Sequence, residues 1–203
     1  MNGEFQQFFD EMAQALARSP KALVLPPGDF REAAVLAPLV VRPDGPRLVF
    51  TKRPDTLRHH AGQISFPGGQ RDPGDATPLA TALRELGEEL GVAASDVQVL
   101  GGLDELATPS RFRIAPFVGR LPNDVVFRPD KTEVEEVFEV PLADFLKPGV
   151  RREEQRVVFG TSRNVYFYDV PPRVIWGATG FIIHRLLERV TALPSWQETL
   201  AGL

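Results

Sequence analysis

Apolar residues are either spaced at helical intervals or grouped in short runs along this chain, and each arrangement predicts a type of secondary structure. Phe5 to Leu16 places apolar residues three and four positions apart, which predicts an amphipathic helix. Two apolar runs, Ala33 to Val41 and Leu48 to Thr51, flank a turn sequence and predict paired strands. Further strands are predicted at Val97 to Leu100, Ile114 to Val118 and Tyr166 to Val170, with a closing helix at Gly177 to Leu193. Strands and helices alternate, so we expect an α/β (α+β) fold in which helices cover a sheet.

Another helix is predicted between Thr77 and Gly91, and its apolar and charged residues separate around its surface. Thr77 and Pro78 stand where an N-cap and a first-turn proline belong, and Gly91 stands where a helix ends. At about 100° per residue, leucines fall in one arc and carboxylates in another. The leucines are Leu79, Leu83, Leu86 and Leu90, and the carboxylates are Glu85, Glu88 and Glu89. We therefore expect one face to pack and the other to gather negative charge.

The three glutamates form either a solvated helix face or a cation site. Charge gathered this tightly is unfavourable unless a cation neutralises it, and hard carboxylate oxygens select Mg2+ or Mn2+ over softer metals. Glu-x-x-Glu-Glu alone does not decide between the two readings, because short motifs are weakly specific. Gly68 and Gly69 precede the helix. They either turn the chain or let its backbone approach the site closely.

The order of strand, glycine loop, helix and glycine resembles the Nudix box of pyrophosphohydrolases that act on nucleoside-diphosphate-linked compounds. That box reads G-x5-E-x7-R-E-U-x-E-E-x-G-U, where U is apolar, and its second half matches Arg84 to Val92 fully. The first half differs, because Asp75 replaces the glutamate and is followed by a longer gap. The resemblance implies a Nudix fold, a mixed sheet sandwiched between helices. It leaves open whether Asp75 has a metal-binding or a structural role.

The resemblance also implies roles for residues of the predicted helix. Glu85 and Glu89 would be the main metal ligands and Glu88 a supporting one, with Mg2+ or Mn2+ as the cofactor. Arg84 adjoins Glu85 and is expected to orient a carboxylate through a charge-assisted hydrogen bond. Direct contact between Arg84 and phosphate is the alternative.

A second motif, just upstream, resembles the pattern of the coenzyme A pyrophosphatase branch of Nudix enzymes. The pattern is an apolar pair, Thr-x-Arg, a spaced Arg, a spaced Gly and Phe-Pro-Gly-Gly. The residues that match it are Thr51, Arg53, Arg58, Gly62, Phe66, Pro67, Gly68 and Gly69. Weaker likeness reaches Ile175 to Thr179. The branch implies coenzyme A as substrate, with its acyl or oxidised forms as further candidates, and 4′-phosphopantetheine and adenosine 3′,5′-bisphosphate as products.

Residues 52–71, here called the basic arm, carry the charge that such a substrate needs. The charged side chains are Lys52, Arg53, Arg58 and Arg71 against Asp55, a formal charge of +3. Coenzyme A has a 3′-phosphate besides its diphosphate, and the planar fork of arginine can bind two phosphate oxygens. We therefore expect Lys52, Arg53 and Arg58 to bind substrate together with the glycine pair, Gly68 and Gly69. The alternative for each cation is an ordinary surface charge, and His59 and His60 are expected to be exposed loop residues.

The group that activates water is expected outside the helix, because a metal-bound carboxylate is a poor proton acceptor. The acidic stretch 130–137 supplies two candidates, Glu133 and Glu136, which are otherwise charges at a strand edge. Thr108 to Phe112 resembles the substrate-side loop of the branch. Relatives usually have Gly where Arg111 stands, so its contacts with substrate are expected to differ.

Composition sets limits on the class of protein. The 203 residues predict a single domain, with a helix at about residues 1–20 as a decoration. The chain has no cysteine, which excludes disulfides and thiolate chemistry, and its net charge of −4 argues against nucleic-acid binding. The start lacks a long apolar run, so neither a signal peptide nor a membrane span is expected and a cytoplasmic location is favoured. The oligomeric state is left open.

Two other functions compete with coenzyme A hydrolysis. The first is hydrolysis of another nucleoside diphosphate derivative, against which the second motif argues. The other is a Nudix-fold binding module without catalysis. Such modules usually lose the box carboxylates, whereas all three are present here.

Overall fold

The structure, a computed structural model, describes residues 5–17, 23, 25–56 and 62–201. Its helices are α1 (Gln6–Leu16), α2 (Pro78–Leu90), α3 (Gly177–Val190) and α4 (Pro194–Ala201). Its strands are β1 (Arg31–Arg42), β2 (Gly45–Lys52), β3 (Ile64–Ser65), β4 (Gly68–Gln70), β5 (Gln98–Gly102), β6 (Leu106–Ala107), β7 (Phe112–Arg120), β8 (Glu136–Pro141), β9 (Arg151–Val158), β10 (Thr161–Val170) and β11 (Arg173–Trp176). Every helix and strand predicted from the apolar pattern is present, within a few residues of its expected bounds.

β1 is the strand around which the larger sheet is built. It runs parallel to β7 and antiparallel to β2, which makes the sheet mixed. Its middle is buried on both faces, as expected for a central strand with a parallel neighbour. β2 leaves β1 after Leu48, and β4 takes the freed edge of β1, with Gly68 beside Val35 and Gly69 beside Ala34. This divergence brings the glycine pair to the middle of the sheet.

Alternate residues of β1 contribute to two apolar cores, because successive side chains of a strand point to opposite faces. One core joins Ala34, Leu36 and Val40 to the residues of α2, namely Ala82, Leu86 and Leu90. The other joins Ala37, Leu39 and Val41 to residues of α1 and α3, among them Phe9, Met12, Ile183 and Leu186. The sheet therefore has helices on both faces, which confirms the expected layered fold.

The buried stripe of α2 differs from the predicted row of four leucines. Leu86 and Leu90 are buried, but Leu79 and Leu83 are only half-buried. Ala82 and Glu89 are fully buried instead. At about 100° per residue, Glu89 projects close to Ala82 and inside the arc that faces the sheet. The helix thus carries one of its carboxylates on the packed side, and the expected separation into an apolar and an acidic face is wrong for Glu89.

The second half of the chain contains a smaller sheet that the sequence did not predict. β9, β10 and β11 form an antiparallel meander in the order β11–β10–β9, against which α3 packs. The pattern of apolar residues predicted only the end of β10. Almost all of β9 is charged or polar and exposed, so no alternation of apolar residues marks it. Its place follows from pairing with β10, since strand pairing does not require a buried face.

The helices other than α2 close the opposite side of the larger sheet. α1 buries Phe8, Phe9, Met12 and Leu16, the residues whose spacing predicted it. α4 brings Trp196 against Phe8, with ring centroids 5.5 Å apart. Within the part of the chain that the structure describes, no helix has the length and apolar character needed to cross a membrane.

The start of α2 is set by a side-chain cap, which generates a first prediction. The hydroxyl of Thr77 accepts a hydrogen bond from the backbone N–H of Ala80 at 3.1 Å, and Pro78 begins the first turn. We expect Thr77→Ala to lower the free energy of unfolding by about 1 kcal/mol, because one backbone donor loses its partner. Thr77→Ser, which keeps the hydroxyl, should remain close to the wild type. Urea denaturation measures both, and equal stability of the two variants would show that the cap contributes nothing.

Candidate active site

The glycine pair brings the main chain of β4 against the side of α2. A Cβ atom added to Gly69 would lie 2.3 Å from Oε1 of Glu85, and one added to Gly68 would lie 2.4 Å from the carbonyl oxygen of Ala34. Both distances are far shorter than ordinary contacts, so any side chain at either position would displace its neighbours. At Gly68 the neighbours are backbone atoms of β1, so a side chain is excluded there, whereas a side chain at Gly69 would push the Glu85 carboxylate away from the loop.

The three box glutamates differ sharply in their exposure. The Glu85 side chain is 15% exposed and that of Glu89 is 5% exposed, whereas Glu88 is 60% exposed. Glu85 and Glu89 point inward beside the glycine loop and Glu88 points to solvent. The two residues predicted as main metal ligands are thus also the two whose charge is taken out of water.

Glu89 is a buried carboxylate with an unsatisfied oxygen. Its Oε2 atom makes no hydrogen bond, and its nearest cation, Arg53, places Nη1 at 3.9 Å from Oε1. Burial, followed by repulsion from Glu85, raises the pKa of Glu89 to about 8, against the attraction of Arg53. Burial also raises the pKa of Glu85, although Arg84 opposes the shift. A buried oxygen with a spare lone pair fits a hard divalent cation, since coordination would supply the missing partner.

The carboxylates are not arranged as a preformed metal cage. Among the described residues, no three Asp, Glu or His side chains converge closely enough to hold an ion as they stand. Glu85 is instead paired with Arg84, whose Nη1 lies 3.0 Å from Oε1, and Glu89 faces Arg53. Both carboxylates are therefore balanced by arginines in this structure.

Arg84 holds the glycine loop and the helix together. Its Nε lies 3.2 Å from Oδ1 of Asp75 and its Nη2 3.1 Å from Oδ2, and Nη2 also donates to the carbonyl oxygen of Gln70. On the helix, its Nη1 lies 2.7 Å from Glu88. Hydrogen bonding by Arg84 lowers the pKa of Asp75 to about 2. These contacts are those of an orienting residue, and they give Asp75 a structural partner in spite of the longer gap between them.

Glu133 reaches the site because the segment before β8 is tied to α2 and β2. The backbone N–H of Arg128 donates to the carbonyl of Leu90, and that of Asp130 to the carbonyl of Glu89. At its other end, Glu135 donates to the carbonyl of Lys52. These bonds hold Glu133 across from the end of α2.

The side chain of Glu133 shares an arginine with the buried carboxylate. Its Oε2 lies 3.9 Å from Nη2 of Arg53, whose Nη1 faces Glu89 at the same distance. The charge of Glu133 contributes to the raised pKa of both Glu85 and Glu89. The structure thus brings together Arg53, Glu85, Glu89 and Glu133.

Other predicted site residues lie elsewhere. Glu136, on β8, pairs with Arg173 of β11. Lys52 places Nζ 3.0 Å from Glu135 and 3.6 Å from Asp55, so its charge is engaged beside the site. Arg58, His59 and His60 lie outside the described residues.

A cavity of about 870 Å3 opens beside the glycine pair. It is bounded by Arg53, residues 62–66, the loop residues Thr108 to Ser110, and Trp176 to Thr179. The hydroxyl of Thr179 donates to the carbonyl of Ile64 at 3.1 Å and ties the far wall to β3. No role was predicted for Trp176, although it belongs to the segment of weaker likeness. A second cavity, of about 830 Å3, lies beside α1 and contains no predicted site residue.

Arg111 adopts the backbone conformation that favours glycine. Its φ is +61°, in the left-handed region, which explains why Gly suits this position. Its guanidinium donates to the carbonyl of Pro27 at 3.2 Å and lies 5.7 Å from the ring of Phe30. The side chain thus fastens the segment before β1, while its neighbours Pro109 and Ser110 line the cavity.

Comparison with known proteins identifies the class to which this fold and site belong. The NUDIX domain model matches residues 30–159, which include the glycine loop, α2 and Glu133. The chain belongs to the Nudix hydrolase family. Members of this family generally use divalent metals such as Mg2+ or Mn2+.

The relatives include two proteins named NudL, both described as uncharacterized Nudix hydrolases. The chain is 42% identical over 168 residues to NudL of Yersinia enterocolitica, and the aligned segment covers 81% of this chain and 86% of that protein. It is 42% identical over 160 residues to NudL of Photorhabdus laumondii, with 79% and 85% covered. Among solved structures, a MutT/nudix family protein from Enterococcus faecalis is similar with a TM-score of 0.56 at 12% identity, covering 94% of this chain and 78% of that one. This last likeness concerns the fold alone.

The burial of Glu89 predicts how pH affects the metal-free protein. Its pKa is about 8 in the folded state and 4.5 ordinarily, so the folded state keeps a proton that the unfolded state releases between these values. Stability conferred by that proton is present at low pH and is lost as pH rises through this window. We expect Glu89→Gln to be more stable than the wild type at pH 9 in chelator, by on the order of 1–3 kcal/mol, and equal to it near pH 5.

Thermal unfolding at both pH values measures this effect. Glu88→Gln is the matched control, because its exposed side chain should leave the pH dependence unchanged. Added Mg2+ should stabilise the wild type more than Glu89→Gln, since only a ligand that binds the folded state raises its stability. A Glu89→Gln variant less stable than the wild type at pH 9 in chelator would contradict the raised pKa.

Proposed function

We propose that this Nudix hydrolase is a divalent-metal-dependent pyrophosphohydrolase that cleaves the diphosphate of coenzyme A, and of its acyl or oxidised forms. The products are 4′-phosphopantetheine and adenosine 3′,5′-bisphosphate. The observation that carries the chemistry is the pair of inward-facing carboxylates, Glu85 and Glu89, beside the glycine loop, which itself lines a cavity of about 870 Å3. Such a volume is in the range of small-molecule sites.

In this proposal, Glu85 and Glu89 hold Mg2+ or Mn2+ and Glu88 supports them from the exposed side. The metal, when bound, neutralises charge on the diphosphate and acidifies the attacking water. The unsatisfied Oε2 of Glu89 supports its assignment as a ligand. Arg84 orients Glu85 and Glu88 while Asp75 fixes its guanidinium. Arg84 already contacts Asp75, Glu85, Glu88 and the carbonyl of Gln70. Few of its N–H groups remain for phosphate, which favours an orienting role over direct contact with substrate.

Glu133 is the better of the two candidate bases. It lies across Arg53 from Glu89, its side chain is half-exposed, and its contact with Arg53 is long, at 3.9 Å, which suits a group that accepts a proton from water. Glu136 is engaged by Arg173 on another strand. Water attacks one phosphorus, its proton passes to the Glu133 carboxylate, and the bridging oxygen leaves with the other phosphoryl group.

Preference for coenzyme A is supported by the second sequence motif and by the basic arm. Arg53 lines the cavity and lies between Glu89 and Glu133, where it can contact the diphosphate. In this proposal Arg58 contacts the 3′-phosphate, and Lys52 adds positive charge at the edge of the site. The backbone at Gly68 and Gly69 completes the substrate contacts beside Glu85.

Product analysis tests the substrate. The protein is incubated with Mg2+ or Mn2+ and coenzyme A, dephospho-coenzyme A, ADP-ribose or a dinucleoside polyphosphate, and the products are identified by mass. We expect coenzyme A to give the two stated products with the highest kcat/KM. Preferred cleavage of another member of the panel would reject coenzyme A but keep the enzyme class. Absence of metal-dependent cleavage across the panel would favour a binding module.

Removal of single box carboxylates tests the metal assignment. We expect Glu85→Gln and Glu89→Gln each to lower kcat by at least about 10²-fold, because their charge acts mainly in the transition state. Glu88→Gln serves as the matched control and should have a smaller effect, since its side chain is mostly exposed. Circular dichroism verifies that each variant is folded. Near wild-type turnover of either inward-facing variant, with metal affinity unchanged, would overturn the assignment.

Substitution of Glu133 and of Glu136 tests which residue is the catalytic base. We expect Glu133→Gln to lower kcat and remove the acidic limb of its pH–rate profile while metal affinity is kept. Glu136→Gln should retain the limb, because its carboxylate is held by Arg173. The measurement is kcat across pH for both variants and the wild type. If both variants keep the wild-type rate and profile, water is activated without either residue.

A further inference from the structure

A row of stacked planar groups crosses the smaller sheet and ends at the cavity. Register places Arg152 of β9, Phe167 of β10 and Trp176 of β11 side by side. The Arg152 guanidinium lies 4.0 Å from the Phe167 ring centroid. The Phe167 and Trp176 rings are parallel within 7°, with centroids 5.6 Å apart. The three groups thus form consecutive layers across the sheet.

Trp176 is the last layer of this row within the described structure. β11 is an edge strand of the smaller sheet, so no further strand of that sheet continues the row. Arg156 also approaches the indole, but its Cζ lies 5.6 Å from the Trp176 centroid and 5.3 Å from that of Phe167. A group on the outer face of Trp176 would lie farther from Phe167 than from Trp176. Arg156 therefore sits near the junction of the two rings and not on the outer face of Trp176.

The exposed indole of Trp176 belongs to the wall of the cavity. Trp176 is 47% exposed and lines the same cavity as the glycine pair and Arg53. Phe167 beneath it is 5% exposed, so the platform has a firm base. A rigid, half-exposed aromatic face backed by a ring and a guanidinium favours a planar ligand. Aromatic side chains of this kind hold nucleobases by stacking.

We propose that Trp176 is the stacking platform for the purine base of the substrate, so that the base forms the next layer of the row. This inference rests on the proposed function, because it supposes a nucleoside diphosphate with its phosphates near Glu85 and Glu89. One cavity touches both Gly69, beside Glu85, and Trp176, so a single ligand can contact both ends. Trp176 lies beyond residues 30–159, the part matched by the family, and contributes recognition from the smaller sheet.

Intrinsic fluorescence tests the stack directly, because the chain has two tryptophans and the other, Trp196, is buried. Trp196→Phe leaves Trp176 as the only indole. In metal-free buffer, adenosine 3′,5′-bisphosphate and ADP should quench its fluorescence at saturation, whereas 4′-phosphopantetheine should not. Quenching by 4′-phosphopantetheine without quenching by either adenine nucleotide would overturn the assignment to the base.

Kinetics of two substitutions provide the second readout. Trp176→Leu keeps apolar bulk but removes the π face, and should raise KM about tenfold with kcat within about threefold of the wild type. Trp176→Phe keeps an aromatic face and should stay within about threefold in both constants. Equal KM values for the Leu and Phe variants, with unchanged thermal unfolding, would contradict the stack.

The two proposals fail in different ways. If coenzyme A is not cleaved but adenine nucleotides quench Trp176, the function is wrong and the platform stands. If coenzyme A is cleaved while Trp176→Leu keeps the wild-type KM and no adenine nucleotide quenches, the function stands and the platform is wrong. A Trp176→Leu variant that changes oligomeric state with KM unchanged would likewise reject the platform and indicate an interface.

Discussion

Helix α2 must pack against the sheet and also hold negative charge beside it, and Glu89 lies where these two demands meet. A buried carboxylate without full hydrogen bonding is costly, so its environment must supply a proton or a cation. Burial raises the pKa of Glu89 because the opposing contacts, with Arg53 at 3.9 Å and with the backbone of Gly68, do not compensate for the lost water. The apolar core on the same helix makes relief by exposure impossible, because turning Glu89 outward would also lift Leu86 and Leu90 from the sheet.

The arginines around the site compensate for this charge from two sides. Arg84 gathers Asp75, Glu85 and Glu88 on the side of the glycine loop, and Arg53 lies between Glu89 and Glu133 on the other. Close pairing at Arg84 and looser contact at Arg53 correspond to different tasks. The first holds the loop against the helix in one geometry. In the proposed function, the second leaves Glu89 and Glu133 able to exchange partners when a cation or an anionic substrate binds.

Much of the layered fold was predictable from the period of apolar residues, and what was missed has identifiable causes. α1 and β1 bury the apolar residues from which each element was predicted, so the local pattern and the packing agree. β9 is charged and exposed, and its place depends on pairing with β10. Glu89 has the same residue type as its neighbours, and its burial depends on the rotation of α2 relative to β1, which leucine spacing alone does not determine.

Among the site residues, the box glutamates and Glu133 were predictable as candidates, but their arrangement was not. Glu133 is brought in by backbone hydrogen bonds from Arg128 and Asp130 to the end of α2, and such bonds leave no trace in side-chain pattern. The choice between Glu133 and Glu136 also depends on Arg173, which lies far along the chain. The role proposed for Trp176 was likewise not predictable, because it depends on the strand register that aligns Trp176 with Phe167 and Arg152.

The cavity joins two parts of the chain that carry different chemistry. Its glycine-loop end belongs to the larger sheet, and its far end belongs to β11 and the start of α3. The hydrogen bond from Thr179 to the carbonyl of Ile64 joins the start of α3 to β3 across the wall of the cavity. In the proposed function, a substrate that spans them is selected by length as well as by charge, because its diphosphate must reach Glu85 while its base reaches Trp176. Substitutions at the far end should then change which nucleotide derivative fits without altering the carboxylates, since Glu85 and Glu89 lie on α2, away from β11 and α3.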